Sequence, residues 1–99
     1  MSYVIFEVKS AETGKIQTML QDDIVNRQSI VIRDANSLEM KGTVSYLKIE
    51  GNPEGLKRAE ELAKEFGMKK LSEKKAKKID EKIKEQEDLA ATGMGMIFD

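Results

Sequence analysis

The densest charged chemistry in the sequence is a basic block at residues 69–78, which contains six lysines and one acid, Glu73. Ammonium groups this close together attract a phosphate backbone, and such binding weakens steeply as the salt concentration rises. The block contains no aromatic side chain that could stack on a base, so we expect any nucleic acid to be contacted through its backbone. The candidate polyanion-binding residues are Lys69, Lys70, Lys74, Lys75, Lys77 and Lys78.

The basic block also has a structural interpretation, because five acids follow it on the same predicted helix. Lysines placed before acids run against the helix dipole, which favours acids in the first turn. Spacings of three and four residues, such as Lys77 to Glu81, nevertheless support ion pairs along a solvated face. A solvated face therefore stays open as the alternative to a binding surface. The acids are Asp80, Glu81, Glu85, Glu87 and Asp88.

A second candidate surface is the uncharged segment at residues 89–98. Glycines alternate there with methionines, which combines a flexible backbone with adaptable apolar side chains. We expect this segment to be buried, either on the chain's own core or against a partner, and as an edge strand it could pair with another subunit. The candidate partner-contact residues are Met94, Met96, Ile97 and Phe98.

Oxygen-bearing side chains gather in a third region, the predicted loop at residues 34–42. A hard cation such as Ca²⁺ is chemically conceivable there, although the loop lacks the twelve-residue spacing and central glycine of an EF-hand. Turn formation explains the same residue types. We therefore assign no metal ligand and keep a small-ligand or metal-binding regulatory domain as an alternative. The residues concerned are Asp34, Asn36, Ser37 and Glu39, with Asp22 and Asp23 as a further acidic pair.

The absent side chains exclude most catalytic classes. The 99 residues include no His and no Cys. Ser-His-Asp and Cys-His catalysis, disulfides and thiol redox chemistry are therefore excluded. Nothing in the sequence selects a carboxylate pair for acid-base catalysis. We expect a non-enzymatic chain without a cofactor, and its formal net charge of −1 gives it no global attraction to nucleic acid or membranes.

The segment at residues 51–54 joins a predicted strand to a predicted helix and has some features of a phosphate-binding loop. No Ser or Thr follows Lys57, and the carboxylates of Glu50 and Glu54 would repel an anion. Helix capping explains the segment better: Asn52 can cap the first amides and Pro53 suits the first helical position. We therefore predict a helix start here and no phosphate site.

The elements that must position these residues follow from apolar spacing. Residues 3–9 predict a central strand with both faces covered, and residues 29–33 and 43–49 predict an antiparallel hairpin with Tyr46 in the core. A helix is predicted over residues 12–28, with a strand over residues 15–20 as its competitor. Its apolar stripe consists of Ile16, Met19, Leu20, Ile24 and Val25.

Two further helices are predicted in the second half. The first runs from the Asn52 cap to Gly67, and the second starts at a Ser72 cap. The second helix carries a narrow seam of apolar residues, followed by a possible short strand over residues 94–98. The seam consists of Ala76, Ile79, Ile83 and Ala90.

This order predicts an α+β fold, namely a two-layer, ferredoxin-like βαββα(α)β sandwich with an antiparallel sheet and an extra charged C-terminal helix. The last strand would lie at the sheet edge beside the first. The alternative is a three-stranded sheet with three helices and the tail folded over the core. The length predicts a single domain over residues 1–99.

Neither a membrane span nor a signal peptide is recognisable, so we expect a cytoplasmic protein. The short N-terminal strand, the Gly-Asn-Pro-Glu helix start, the Lys/Glu helix and the Gly-Met-Gly-Met-Ile-Phe ending together resemble small conserved proteins of unknown function from methanogenic archaea. The resemblance implies an archaeal cytoplasmic protein without an assigned activity, and the Lys and Glu enrichment is typical of thermophile proteins.

We expect an interaction module that contacts a protein partner or a second copy of itself. A nucleic-acid-binding module that uses the basic block is the first alternative.

Overall fold

A computed structural model describes residues 2–38 and 40–98, with side chains described up to residue 87. Its β-strands are β1 (Ser2–Lys9), β2 (Ser29–Asp34), β3 (Val44–Gly51) and β4 (Lys69–Lys70). Its α-helices are α1 (Gly14–Met19), α2 (Pro53–Glu65) and α3 (Glu73–Phe98). Single 3-10 turns lie at Ser10–Glu12, Val25–Arg27 and Asn36–Leu38.

The strands form one antiparallel sheet in the order β2-β3-β1-β4. The prediction of a central first strand is confirmed, and so is the hairpin of β2 with β3. Ile5 lies opposite Lys48 on β3, and Val31 of β2 lies opposite Lys48 from the other side. The β-branched and aromatic residues of these strands suit a pleated surface with neighbours on both faces.

The edge strand beside β1 is formed by other residues than expected. The sequence predicts residues 94–98 at this edge, but they fall within the bounds of α3, and the two-residue strand β4 pairs with Phe6 and Glu7 instead. The N–H of Leu71 also donates to the carbonyl of Ile5 at 3.0 Å. The final strand, β4, thus precedes the charged helix α3, whereas the sequence predicts the strand after the helix. The strand was missed because two lysines give no apolar strand signal.

Helices cover both faces of the sheet, so the predicted two-layer sandwich is wrong and the molecule has three layers. Phe6, Leu47 and Ile49 point to the face covered by α1 and α2. Ile5 and Tyr46 point to the opposite face, where α3 packs. Tyr46 is buried, as predicted. This arrangement explains why β1 and β3 are apolar on both of their faces.

The first helix is shorter than predicted, although the competing strand at residues 15–20 is also wrong. The helix α1 ends at Met19, and its Ile16 and Met19 are buried. The Asp22 carboxylate then accepts hydrogen bonds from the N–H groups of Ile24 at 3.0 Å and Val25 at 3.1 Å. Such local bonds offer the backbone an alternative to the helical ladder, which explains the early end.

The helix α2 begins and ends where the sequence predicts. The Asn52 side chain accepts a hydrogen bond from the N–H of Gly55 at 2.8 Å, and Pro53 occupies the first helical position. Gly67 follows the helix with a φ of +74°, a conformation that glycine adopts without steric cost. The capping interpretation of residues 51–54 is confirmed.

Candidate interaction surface

The helix α3 starts at the predicted cap and packs its apolar seam on the sheet. The N–H of Lys75 donates to Ser72 Oγ at 3.4 Å, and Glu73 in the first turn complements the positive helix end. Ala76, Ile79 and Ile83 are buried against Ile5 and Tyr46 among other residues. Ala90, the last predicted seam residue, lies outside the residues whose side chains are described.

A buried ion pair lies beneath the same helix. Asp80 is 4% exposed and Lys48, on β3, is 7% exposed. The Lys48 ammonium donates to Asp80 Oδ1, and Lys84 Nζ lies 3.1 Å from Asp80 Oδ2. Lys48 Nζ also lies 5.1 Å from the ring centroid of Tyr3 on β1, within cation–π range. This group of four residues, Tyr3, Lys48, Asp80 and Lys84, is called the charge cluster below.

The cluster stabilises the ionised form of its acid. Burial raises the pKa of Asp80, but the hydrogen bonds and the positive charges of Lys48 and Lys84 together outweigh burial and hold that pKa below its ordinary value. The hydrogen bond that Lys84 donates to Asp80 raises the pKa of Lys84. Burial, and next the Asp80 charge, raise the pKa of the Tyr3 phenol. At neutral pH Asp80 is therefore ionised, and Lys84 and Tyr3 are protonated.

Further polar contacts fasten α3 on either side of the cluster. Near the helix start, Lys75 Nζ lies 3.6 Å from the Glu7 carboxylate of β1. Two residues beyond Lys84, Gln86 accepts a hydrogen bond from Arg33 Nε of β2 at 2.9 Å and donates to the carbonyl of Ser37 at 2.5 Å. The described part of α3 thus crosses the sheet from β1 over β3 to β2.

The sequence reasoning missed the charge cluster, because it counted Asp80 among the acids of a solvated face and did not single out Lys48. A signal was present: Asp80 stands four residues after Ala76 and directly after Ile79, on the inward side of the helix. Lys48 stands two residues after the buried Tyr46, which places both on one face of β3. A lysine or an aspartate considered alone is expected to be exposed. The burial of Lys48 and Asp80 is explained only by their pairing.

The six lysines of the basic block do not form one continuous surface. Neighbouring residues of a strand point to opposite faces, so Lys69 and Lys70 of β4 diverge, and Lys70 pairs with Glu60 of α2. Lys75 is engaged with Glu7. The three remaining lysines, Lys74, Lys77 and Lys78, are exposed on α3.

The outward side of α3 carries a regular charge pattern. Successive spacings of four, three and four residues place its four members on one face of the helix, opposite the buried seam. All four are exposed, and none forms an ion pair with another residue whose side chain is described. We call this set the outward stripe; its members are Lys74, Lys78, Glu81 and Glu85.

The structure supports no binding site in the loop at residues 34–42, and it does not describe the side chains of the segment at residues 89–98. Asp34 Oδ1 accepts the N–H of Ser37 at 2.8 Å, and Ser37 Oγ donates to the Asp34 carbonyl at 2.9 Å, which is turn formation. Glu39 lies outside the described residues, and the described residues contain no group of three or more potential metal-ligating acids. The candidate partner-contact residues Met94, Met96, Ile97 and Phe98 also lie outside the residues whose side chains are described.

The cavities that accompany these elements are open grooves. One of 610 Å³ lies between Gln28 and the start of α2, and one of 600 Å³ lies beside α3 and is lined by Met40, Ile79 and several lysines. Open grooves suit contact with a macromolecule better than they suit enclosure of a small substrate. Among the described residues, no helix has the length and apolar character needed to cross a membrane.

No protein-family model matches the chain, and neither a curated protein nor a solved structure is significantly similar to it. We therefore infer the function from the chain's own residues and geometry.

Proposed function

We propose that the chain is a non-enzymatic interaction module that contacts another protein, and that α3 carries the contact. The observation that supports this proposal is the use of the buried charges. Lys48 and Asp80 face each other beneath α3 and not across an open cavity. This ion pair holds α3 against the sheet. The exposed outward stripe therefore lies on a helix whose position is fixed.

The partner class we propose is a protein, including a second copy of this chain. The outward stripe carries two positive charges followed by two negative charges along the helix, which suits a protein surface of matching pattern better than a uniform polyanion. The uncharged residues 89–98 follow the stripe in the sequence, and we propose that Met94, Met96, Ile97 and Phe98 add apolar contact to the same interface.

The test is site-specific photo-crosslinking of the full-length chain in its native cells. A photo-reactive residue replaces Glu85 on the outward stripe in one variant and Lys57 on the exposed face of α2 in the control. We expect a defined protein adduct from position 85 and none from position 57. No adduct from position 85, or the same adducts from both positions, would contradict the proposal.

A nucleic-acid-binding module is the second candidate function. It is favoured by Lys69, Lys74, Lys77 and Lys78, which are exposed and form no ion pair with another residue whose side chain is described. Titration with mixed RNA and DNA tests it. Binding at about 50 mM salt that weakens at least tenfold by about 200 mM supports this function, because each contacted phosphate releases counterions. No binding at the lower salt concentration, or binding without a salt dependence, dismisses it.

We also propose that the fold is a ferredoxin-like split βαβ arrangement to which α3 is added, and that the protein acts in the cytoplasm. The fold proposal is supported by the strand order β2-β3-β1-β4 and by two crossover connections that place α1 and α2 on the same face.

A further inference from the structure

We propose that the partner of α3 is a second copy of this chain, and that two outward stripes pair antiparallel about a twofold axis. This inference rests on the proposed function, because it names the partner of the surface proposed there. The outward stripe contains two lysines followed by two glutamates, so it is complementary to itself when reversed.

The register follows from helix geometry. When two helices run antiparallel, Lys74 can face Glu85 of the second copy in the same arrangement that places Lys78 opposite its Glu81. The spacing of eleven residues between Lys74 and Glu85 and of three residues between Lys78 and Glu81 puts both pairs around one centre, between residues 79 and 80. The twofold axis repeats both pairs, which gives four ion pairs across the interface.

Within a single chain this charge order gives one favourable neighbour pair, Lys78 with Glu81, and two unfavourable ones. Lys74 and Lys78 are like charges four residues apart, and so are Glu81 and Glu85, which is mildly unfavourable within one helix. Placing the lysines first also opposes the helix dipole. An antiparallel second copy offsets the first disadvantage, because each like-charged pair then faces the opposite sign.

Lysines beside the outward stripe repel the lysines of an approaching second copy, but some of them are already paired with an acid of their own chain. Four lysines flank the outward stripe: Lys77 and Lys82 form no ion pair with another described side chain, whereas Lys75 lies 3.6 Å from Glu7 and Lys84 lies 3.1 Å from Asp80. Lys75 and Lys84 are therefore partly neutralised within their own chain. Exposed ion pairs are individually weak, so we expect a weak and salt-sensitive dimer.

The experiment is sedimentation equilibrium of the full-length chain with two charge-reversed variants. One variant carries Lys74→Glu with Lys78→Glu, and the other carries Glu81→Lys with Glu85→Lys. We expect the unaltered chain to self-associate, each variant alone to be at least tenfold weaker, and the equimolar mixture of the two variants to regain association as a heterodimer. All four positions are exposed, and circular dichroism checks that both variants fold.

A matched control makes the same charge change on another helix. The variant with Lys57→Glu and Lys64→Glu on the exposed face of α2 should keep the association of the unaltered chain. Raising the salt from about 50 to about 500 mM should weaken the dimer about tenfold or more, since the pairs are solvent-exposed.

Three results would overturn the inference: a chain that stays monomeric at millimolar concentration, a reversed variant that associates as strongly as the unaltered chain, or a mixture that does not form a heterodimer. The crosslinking experiment separates this failure from a failure of the proposed function. A monomeric chain that still crosslinks a different protein from position 85 keeps the proposed function and loses the second copy. A monomeric chain without that adduct loses both.

Discussion

The two faces of the sheet are closed by different means. On the face covered by α1 and α2, residues such as Phe6, Leu47 and Ile49 meet an apolar helix surface, and burial of apolar area does the stabilising. On the face covered by α3, a narrow apolar seam is accompanied by the buried pair of Lys48 with Asp80. The second face therefore combines apolar packing with a directional contact between charges.

The difference teaches how α3 finds its position. Up to residue 87, the buried apolar stripe of α3 consists of Ala76, Ile79 and Ile83, which is too narrow to fix the direction of this part of the helix by packing alone. An unpaired buried charge costs several kcal/mol, so arrangements that separate Asp80 from Lys48 are strongly disfavoured. The charge cluster therefore selects the crossing of α3, and through it the direction in which the outward stripe faces.

The largest effect that tests this comparison is expected from Asp80→Ala. The substitution leaves Lys48 buried without its anion, and we expect a loss of about 4 kcal/mol in the free energy of unfolding, measured by urea denaturation. The double variant Lys48→Met with Asp80→Leu should recover most of this loss, since it removes both charges together. A loss below about 1 kcal/mol for Asp80→Ala would contradict the role given to the pair.

A smaller change in the free energy of unfolding is expected when the pH is lowered. Because the folded chain holds the pKa of Asp80 below its unfolded value, the folded state binds fewer protons, and its stability falls as the pH drops through the folded pKa. Urea unfolding between pH 7 and pH 3 should therefore show a decline that is shallower in Asp80→Asn than in the unaltered chain.

The control for the acid experiment is Asp22→Asn on the other face. Hydrogen bonds from Val25, Arg58 and Ile24 lower the pKa of Asp22, with the backbone bond from Val25 contributing most, so this group adds its own share to the decline. The variant Asp22→Asn should keep the part of the decline in stability that is due to Asp80. Equal slopes in the unaltered chain and Asp80→Asn would mean that the cluster does not contribute to acid sensitivity.

A third prediction sharpens the description of the α2 face. The Gln28 side chain lies against Gly51 and Gly55, donates to the carbonyl of Ile24 at 3.0 Å, and would overlap with a Cβ atom at position 55. We expect Gly55→Ala to lower the free energy of unfolding by about 1 kcal/mol despite the better helix propensity of alanine. In a chain that also carries Gln28→Ala, the same change should be neutral or stabilising; an unchanged cost would show that Gln28 is not the cause.

The smallest effects are expected at the two helix caps. The Asn52 cap of α2 is short at 2.8 Å, whereas the Ser72 cap of α3 is long at 3.4 Å. Thermal unfolding should show a loss of about 1 kcal/mol for Asn52→Ala and about 0.5 kcal/mol for Ser72→Ala. The reverse order would mean that α3 depends on its local start more than on the contacts that fasten it to the sheet.

Much of the fold was predictable because its signals are local. The strand β1, the hairpin of β2 with β3 and the capped start of α2 each depend on a few neighbouring residues. The early end of α1 was not predictable from apolar spacing, because the stripe continues to Val25 while the Asp22 side chain redirects the backbone. The strand β4 escaped prediction because two exposed lysines form a strand only when β1 offers an edge.

The candidate surface was predictable only in part. The sequence shows which residues of α3 are charged and where the basic block lies, but it does not show that Lys69 and Lys70 point apart or that Lys75 is engaged with Glu7. The outward stripe could have been found from helix periodicity alone, once the inward side was known. The inward side was misjudged at one position, Asp80, whose type favours exposure.

By itself, the amino-acid sequence determined the strands β1, β2 and β3, the helix caps and the charge order of the last helix, since each depends on residues only a few positions apart. Only the tertiary structure decided that α3 covers the second face of the sheet, and that Asp80 is buried against Lys48, 32 residues away along the chain. The reason is energetic. A charge is stable in an interior only where its partner is already in place, and the partner's position is a property of the whole fold.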